Sequence, residues 1–336
     1  RFRNVTGVQT CALPIFKKSG EARPTFTEVF GETICGLAQT NRKIVAITAA
    51  MKEGTGLNRF ASEHPSRFFD VGIAEQHAVT MAAGMARGGL KPFVAIYSTF
   101  MQRAFDQVVH DVALMNLPVV FCLDRAGLVG EDGPTHHGAF DISFLRAIPN
   151  LQFLAPADEA ELKTMLHYAA SAAGPVAIRY PRGTSACSLE SGQRHPLLQA
   201  GKAEIVKEGS QISVWALGHT LGAAARAVEE LDKQGISARL VNPRFIRPFD
   251  TELLADSVRR NLPIVTVEEN TLPGGFGSLV AEHAMELGHT AGILRIGLPD
   301  EFVPHGSQEE LRHMLKIDAE GIKERIVSWL KTRHRP

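Results

Sequence analysis

The sequence predicts an α/β protein of two domains, each built around a parallel β-sheet. Its 336 residues exceed the roughly 100–200 residues of an ordinary domain. Short apolar runs alternate with longer amphipathic stretches, which is typical of parallel strands covered by helices on both faces. The alternation pauses in the polar, turn-rich segment 185–204, which predicts a linker. We therefore predict one domain over residues 25–184 and a second over residues 205–336.

Residues 1–24 are set apart from both predicted domains. They show no clear helical or strand period and do not lead into the first helical pattern. We interpret them as an extension or a remnant that is foreign to the rest of the chain.

The first domain begins with an amphipathic helix and then alternates strand and helix. Its strands are continuous apolar runs, as expected for strands buried on both faces. The predicted strands are KIVAITAA (43–50), RFFDVGI (67–73), KPFVAIYS (91–98), LPVVFCLD (117–124), LQFLA (151–155) and GPVAIRYP (174–181). The predicted helices, which carry apolar residues at helical spacing, are 26–40, 75–89, 99–115 and 158–173.

The second domain repeats the pattern with different lengths. Its predicted strands are ISVWALG (212–218), ARLVNP (238–243), PIVTVEE (263–269) and GILRIGL (292–298). Its predicted helices are 220–235, 250–260, 277–288 and 319–333. The run GGFGS (274–278) precedes one helix and weakly suggests anion binding, although close packing of helix on sheet explains it better.

Composition excludes several classes of partner and site. Lys and Arg together number 36, as do Asp and Glu, so net charge gives no reason to expect nucleic acid or an acidic membrane surface. The chain has four widely spaced cysteines, which argues against a disulfide framework and against a cysteine-rich zinc site. No apolar run approaches the roughly 18–20 residues of a membrane-spanning helix, so we expect no membrane span and a cytoplasmic protein.

Reactive and polar side chains follow several strands of the first domain. In open parallel sheets, ligands bind beyond the carboxyl ends of the strands. The segments at these ends contribute Glu75, Tyr97, Phe100, Arg103, Arg125, Asp132, His136 and Arg182. Their convergence on one predicted edge is stronger evidence for a site than any one of them alone.

Each candidate also has a simpler structural explanation. Glu75 at a helix start favours the helix dipole, and Tyr97 and Phe100 are residue types that more often fill a core. Arg125 and Arg182 can pair with carboxylates, although two guanidinium groups at one sheet edge also suit a phosphate.

Long motifs carry the interpretation further, because they closely resemble those of 1-deoxy-D-xylulose-5-phosphate synthases. These are thiamine-diphosphate enzymes of the transketolase superfamily, and the resemblance runs from about residue 25 to the end of the chain. The motifs are AMKEGTGL (50–57), DVGIAEQHAVT (70–80), AIYSTFMQRAFDQVVHDVA (95–113), DRAGLVGEDGPTHHGAFD (124–141), AIRYPRG (177–183), VTVEEN (265–270) and GLPDEFVPHGSQEEL (297–311). The resemblance implies a pyrimidine-binding domain followed by a transketolase-type C-terminal domain.

The resemblance implies how the coenzyme would be bound. Glu75 would hydrogen-bond N1′ of the thiamine diphosphate aminopyrimidine and relay a proton there. Phe100 would stack on that ring, and Tyr97 and Arg103 would line the pocket. The apolar sequence around Glu75 would shelter its carboxyl group from water, which would strengthen this hydrogen bond.

It also implies the substrates. Arg125 and Arg182 would hold the phosphate of glyceraldehyde 3-phosphate, and Asp132 and His136 would act on the acceptor or on the covalent intermediate. The family joins pyruvate, after decarboxylation, to this aldehyde. The product, 1-deoxy-D-xylulose 5-phosphate, is a precursor of isoprenoids, thiamine and pyridoxal.

One departure from the family is large. A complete synthase begins with another domain, which binds the diphosphate through Mg²⁺ and carries a Gly-Asp-Gly motif followed by Asn. That motif is not found here, so we expect a C-terminal part that binds the coenzyme weakly, turns over little, exposes an apolar partner face and belongs to a homodimer. Two alternatives stay open: a β-type subunit of a related enzyme such as a 2-oxoacid dehydrogenase or a split transketolase, and a non-catalytic assembly module.

Overall fold

A computed structural model describes residues 23–185 and 198–333 of the chain. Most of the predicted N-terminal extension (1–24) and of the predicted linker (185–204) lies outside the described residues. Within the described part, Cys35 and Cys122 are free and buried. No helix there has both the length and the apolar character needed to cross a bilayer.

Two mixed, mainly parallel sheets organise the described chain, which confirms the predicted α/β fold. The strands are β1 (Ile44–Thr48), β2 (Phe68–Asp70), β3 (Lys91–Tyr97), β4 (Val120–Asp124), β5 (Gln152–Leu154), β6 (Val176–Arg179), β7 (Glu204–Lys207), β8 (Ile212–Ala216), β9 (Ala238–Asn242), β10 (Phe245–Arg247), β11 (Ile264–Thr271) and β12 (Ile293–Leu298). The first sheet has the order β10-β5-β6-β4-β3-β1-β2, and the second has the order β12-β11-β8-β9-β7. Only β10 and β7, each at a sheet edge, pair antiparallel with their neighbours.

Helices cover both sheets. They are α1 (Phe26–Thr40), α2 (Asn58–Glu63), α3 (Glu75–Arg87), α4 (Ser98–Met101), α5 (Phe105–Gln107), α6 (Asp141–Leu145), α7 (Glu159–Ser171), α8 (Leu221–Lys233), α9 (Thr251–Arg259), α10 (Phe276–Glu286), α11 (Gln308–Met314) and α12 (Ala319–Arg333). Helix α1 begins with a capping box in which Thr25 and Glu28 satisfy each other's backbone N–H groups. Ser307 and Glu310 form the same arrangement at α11.

The predicted helix over residues 99–115 is helical in the structure, but it is not an α-helix throughout. That segment passes from α4 through a 3₁₀ turn (Gln102–Ala104) and α5 into a π-helical stretch (Val108–Ala113). Apolar spacing does not distinguish these neighbouring helical pitches, because each of them brings roughly every third to fifth residue to the same face. The strands β7 and β10 and the helices α2, α6 and α11 were not predicted.

Strand β10 ties the two domains together, because it comes from the second part of the chain but pairs with β5 of the first sheet. Just before it, Arg244 donates from Nε to Glu161 at 2.7 Å, and both side chains are buried. One hydrophobic cluster likewise contains Phe121 from the first sheet and Trp215 from the second. The predicted domain boundaries stay predictions, but the two sheets share a core.

Candidate functional site

Glu75 is the first residue of α3 and is only 3% exposed. The preceding turn is held by Asp70, whose Oδ1 accepts hydrogen bonds from the N–H groups of Ala50 and Gly72 at 2.8 and 3.0 Å. Glu75 Oε1 accepts a hydrogen bond from Arg103 at 2.8 Å. Its Oε2 accepts none from the residues that the structure describes. The helix start thus holds a buried carboxylate with one hydrogen-bonding position unfilled.

A stack of rings and cations extends from this carboxylate. The Arg103 guanidinium lies 4.9 Å from the centroid of the Phe100 ring. Phe100 stacks on Tyr97 with a centroid distance of 6.0 Å, and the His136 ring meets Phe100 edge-on at 5.5 Å. Tyr97, Phe100 and His136 are each partly exposed, so the rings border open space while they pack on one another.

Arg125 also contacts the Tyr97 ring. Its guanidinium lies 3.8 Å from the Tyr97 ring centroid, close enough for a cation–π interaction. Its NH1 group donates to the carbonyl oxygen of Gly54 at 2.6 Å and lies 3.3 Å from Asp124 Oδ1. Arg125 has φ +62°, a left-handed conformation that is uncommon for a residue with a side chain and that is often found at functional sites.

Two residues of this site were missed by sequence reasoning. A Cβ atom on Gly54 would lie 1.6 Å from the Tyr97 hydroxyl, so only glycine fits there. Asp124 is fully buried and accepts a hydrogen bond from Thr27 at 2.7 Å. Burial raises the pKa of Asp124 to about 6, against the opposing effects of Arg125 and Thr27. The motif at 50–57 was the only signal for Gly54, since its contacts lie far away in sequence.

Asp132 and His136 lie on one loop, 127–138, whose base is closed by paired backbone hydrogen bonds between Gly127 and Gly138, both 2.8 Å. Asp132 Oδ2 accepts a hydrogen bond from Arg182 at 2.8 Å, and both side chains are more than 40% exposed. This pair is therefore solvent-screened and replaceable.

The structure brings all eight predicted residues to one region. Burial raises the pKa of the Tyr97 hydroxyl, and Arg125, Asp124, Arg182 and Asp132 all lie close enough to influence it. Arg125 and Arg182 each have a carboxylate partner, Asp124 and Asp132 respectively. Their roles towards a coenzyme or substrate stay predictions.

The backbone N–H groups at the glycine run 274–278 are occupied by a carboxyl group of the same chain, that of Glu268. The two oxygens of Glu268 accept hydrogen bonds from Phe276 N and Gly277 N at 2.6 and 2.7 Å. Burial raises the pKa of Glu268 to about 7, although these two N–H groups oppose the shift. A Cβ on Gly277 would also lie 2.5 Å from Thr266 Oγ1, so the close helix–sheet packing expected from the sequence is present.

Comparison with known families follows the same two-part division. The transketolase pyrimidine binding domain matches residues 22–186, and the transketolase C-terminal domain matches residues 201–322. A solved split-gene transketolase, described as an inactive beta4 tetramer, is 31% identical with a TM-score of 0.79. That match covers 90% of this chain and 97% of the other. The chain belongs to the transketolase family.

Within the transketolase family, curated relatives are named 1-deoxy-D-xylulose-5-phosphate synthase, which confirms the resemblance seen in the motifs. The Acidobacterium capsulatum protein is 52% identical over 318 residues, which are 95% of this chain and 50% of the relative. The Syntrophomonas wolfei protein is 52% identical over 302 residues, which are 90% of this chain and 47% of the relative. The chain thus spans about half the length of the curated relatives it matches.

A second solved relative shows the fold alone. Transketolase from Campylobacter jejuni is 19% identical with a TM-score of 0.74, and the match covers 90% of this chain and 46% of the other.

Proposed function

We propose that this chain supplies the pyrimidine-binding and C-terminal domains of a thiamine-diphosphate-dependent 1-deoxy-D-xylulose-5-phosphate synthase. The reaction condenses pyruvate with glyceraldehyde 3-phosphate and releases carbon dioxide. The observation that carries the proposal is Glu75, a buried carboxylate with one unfilled oxygen that is linked through Arg103 to the partly exposed ring of Phe100. Identity of about 50% to proteins of that name supports this reaction over others of the family.

The residues present fit the aminopyrimidine part of thiamine diphosphate. A ring with a basic nitrogen needs a sheltered acid at that nitrogen and an apolar surface against its face, and Glu75 and Phe100 offer these. The coenzyme, when bound, supplies an electron sink for the decarboxylation. Glu75 holds and moves the proton at the ring nitrogen, and Arg103 fixes the Glu75 carboxyl group through its hydrogen bond to Oε1.

The aldehyde phosphate would bind on the other side of the ring stack. Arg182 is exposed and donates to the carbonyl oxygen of Val129 at 3.2 Å as well as to Asp132. Its pair with Asp132 is screened by solvent, so a phosphate dianion can compete with Asp132 for it. Arg125 is fixed by Gly54 and Asp124 and offers the remaining face of its guanidinium. Asp132 and His136 then lie on the loop next to the aldehyde, where they would orient the acceptor carbonyl.

The proposal includes a diphosphate-binding domain that supplies the Mg²⁺ ligands. Within residues 23–185 and 198–333, no group of three or more potential metal ligands occurs. Ile73, two residues before Glu75, is 81% exposed, so one apolar side chain near the start of α3 is available to such a domain. A homodimeric assembly and a cytoplasmic location are further parts of the proposal.

A second candidate is a β-type subunit that works with a separate diphosphate-binding chain. The observation that favours it is the 97% coverage of the split-gene transketolase. It ranks second because identity to that protein is 31%, against 52% to the synthases.

Complementation tests these candidates. The purified chain is assayed alone and with the separately expressed front half of the Acidobacterium capsulatum relative, with Mg²⁺, thiamine diphosphate, pyruvate and glyceraldehyde 3-phosphate. We expect little turnover by the chain alone and product formation by the mixture. Robust turnover by the lone chain contradicts the requirement for that domain. Turnover of a ketose phosphate donor in place of pyruvate favours the split-transketolase reading. Coenzyme binding without turnover of either donor favours an assembly module.

A further inference from the structure

Leu128 belongs to the first domain by sequence, yet its side chain lies in the core of the second. It is fully buried and belongs to a hydrophobic cluster that includes Val267, Leu298 and Leu311. It follows Arg125 by three residues and stands at the start of the loop that carries Asp132 and His136. The loop is thus anchored in the other domain by an apolar side chain.

Both backbone polar groups of Leu128 are bound by side chains of the second domain. Its N–H donates to Glu269 Oε2 at 3.0 Å, and its carbonyl oxygen accepts from Gln308 Nε2 at 2.7 Å. Gln308 Nε2 also donates to the carbonyl oxygen of Arg182 at 3.3 Å. Buried backbone groups bound in this way are costly to release, because water does not replace their partners.

Glu269 is itself held rigidly. Its Oε1 accepts from Arg312 Nε at 2.5 Å and lies 3.1 Å from His219 Nε2. Its Oε2 lies against Gly127, where a Cβ atom would be only 2.4 Å away and where φ is +79°. Glycine at 127 therefore allows the carboxylate to approach the loop backbone.

The far end of the loop is held by the second domain as well. His137 Nδ1 accepts a hydrogen bond from Val129 N at 3.1 Å, so its Nε2 carries the hydrogen that is donated to the carbonyl oxygen of Pro304 at 3.2 Å. Gly133 packs against His305, whose Cβ would lie 3.1 Å from a Cβ at that position. Asp132 and His136 lie between these attachments.

We propose that the second domain positions the substrate loop 127–138 through Leu128, with Glu269 and Gln308 as the positioning residues. The inference rests on the proposed function for the roles of Asp132 and His136. Among the described residues, Glu269 and Gln308 make no hydrogen bond to the eight site side chains, so their effect runs through main-chain groups: those of Leu128 and, for Gln308, also the carbonyl group of Arg182. A loop held at both ends keeps its reacting groups within the narrow geometry that catalysis requires.

Amide hydrogen exchange on the purified 336-residue chain tests the anchoring without any assay of turnover. Gln308→Met and Glu269→Gln are compared with the parent, and Glu268→Gln is the matched control, since Glu268 is the adjacent buried glutamate and binds α10 instead. We expect exchange across 127–138 to become about tenfold faster in the first two variants and to stay unchanged in the control. Unchanged loop exchange in both variants overturns the inference.

The kinetic consequence is measured in the mixture that contains the diphosphate-binding half. Gln308→Met, which keeps the charge and approximate volume, should raise KM for glyceraldehyde 3-phosphate about tenfold while the affinity for thiamine diphosphate stays unchanged. An unchanged KM in an active mixture whose loop exchanges faster overturns the positioning role. An inactive parent mixture with a loosened loop in both variants counts against the proposed function and supports the anchoring.

Discussion

Glu75 and Glu269 are both buried glutamates that accept a hydrogen bond from an arginine, but they differ in how many other groups contact the carboxylate. Glu75 has one hydrogen-bond partner in the described chain, Arg103, which also lies over the partly exposed Phe100 ring. Glu269 accepts hydrogen bonds from Arg312 and from Leu128 N, one at each oxygen, and its Oε1 also lies 3.1 Å from His219 Nε2. Burial alone therefore does not distinguish a reactive carboxylate from a structural one.

The difference lies in how completely each carboxylate is hydrogen-bonded. Burial disfavours the charge on Glu269, but Arg312 and His219 outweigh it and hold the pKa of Glu269 well below its usual range. Both oxygens of Glu269 are thus engaged by groups of the described chain. Glu75 Oε2, by contrast, has no hydrogen-bond partner among the described residues, which leaves it available for the proposed coenzyme.

The largest expected effect is that of Glu75→Gln on turnover. An amide cannot exchange a proton with the coenzyme ring, so kcat of the complemented enzyme should fall by about 10²–10⁴-fold, with little change in thermal stability. Steady-state product formation measures this. Glu63→Gln is the control, because Glu63 is an exposed glutamate paired with Arg59 on the surface of α2 and should leave kcat unchanged. A kcat for Glu75→Gln close to that of the parent would show that Glu75 does not relay a proton, and would contradict the proposed difference from Glu269.

The next largest effect concerns Leu128, which connects the substrate loop to the core of the second domain. Leu128→Ala leaves a cavity in the second domain's core and should lower the free energy of unfolding by about 2–5 kcal/mol. Leu166→Ala is the matched control, since Leu166 is equally buried in a cluster of the first domain. Both should lower the denaturant midpoint, but only Leu128→Ala should speed exchange across 127–138. Equal amide exchange rates across 127–138 in the two variants would show that Leu128 contributes to core packing without anchoring the loop.

The smallest effect is a pH dependence that separates Glu268 from its neighbour. The pKa of Glu268 is raised from 4.5 to about 7, so between these pH values the folded chain keeps a proton that the unfolded chain releases. Its contribution to stability therefore falls as pH rises through this window, by roughly 3 kcal/mol at most. Glu268→Gln removes this loss, so its denaturant midpoint relative to the parent should be higher at pH 8 than at pH 5.

Glu269→Gln is the control for this measurement. The pKa of Glu269 is lowered, so its stabilisation is lost only as pH falls below the unfolded value near 4.5. Its difference from the parent should therefore be the same at pH 5 and pH 8. A pH-independent difference for Glu268→Gln would show that its carboxyl group is already ionised at pH 5.

Much of the fold was predictable because its strands are continuous apolar runs and its helices carry local signals. The predicted helices 26–40 and 319–333 match α1 and α12 at both ends. Strand β10 was not predictable, since three residues gain strand structure only by pairing with β5, more than ninety positions away in the chain. The changes of helical type after Tyr97 were not predicted, because the spacing of apolar residues does not reveal which backbone hydrogen-bond pattern a helix has.

The candidate site was predictable in residue type and in its place at one sheet edge. The contacts within it were not. Arg103 is 28 positions from Glu75, and Gly54 is 71 positions from Arg125, so no local sequence pattern predicts either contact.

The sequence by itself determined two α/β domains with mainly parallel sheets and the edge at which polar side chains collect, because apolar periodicity and the alternation of strand and helix are local properties repeated along the chain. Only the tertiary structure decided which buried acid is fully bound and which loop is held by the other domain. Hydrogen-bond saturation depends on groups brought together from far apart, as when Glu269 meets a backbone N–H 141 positions away.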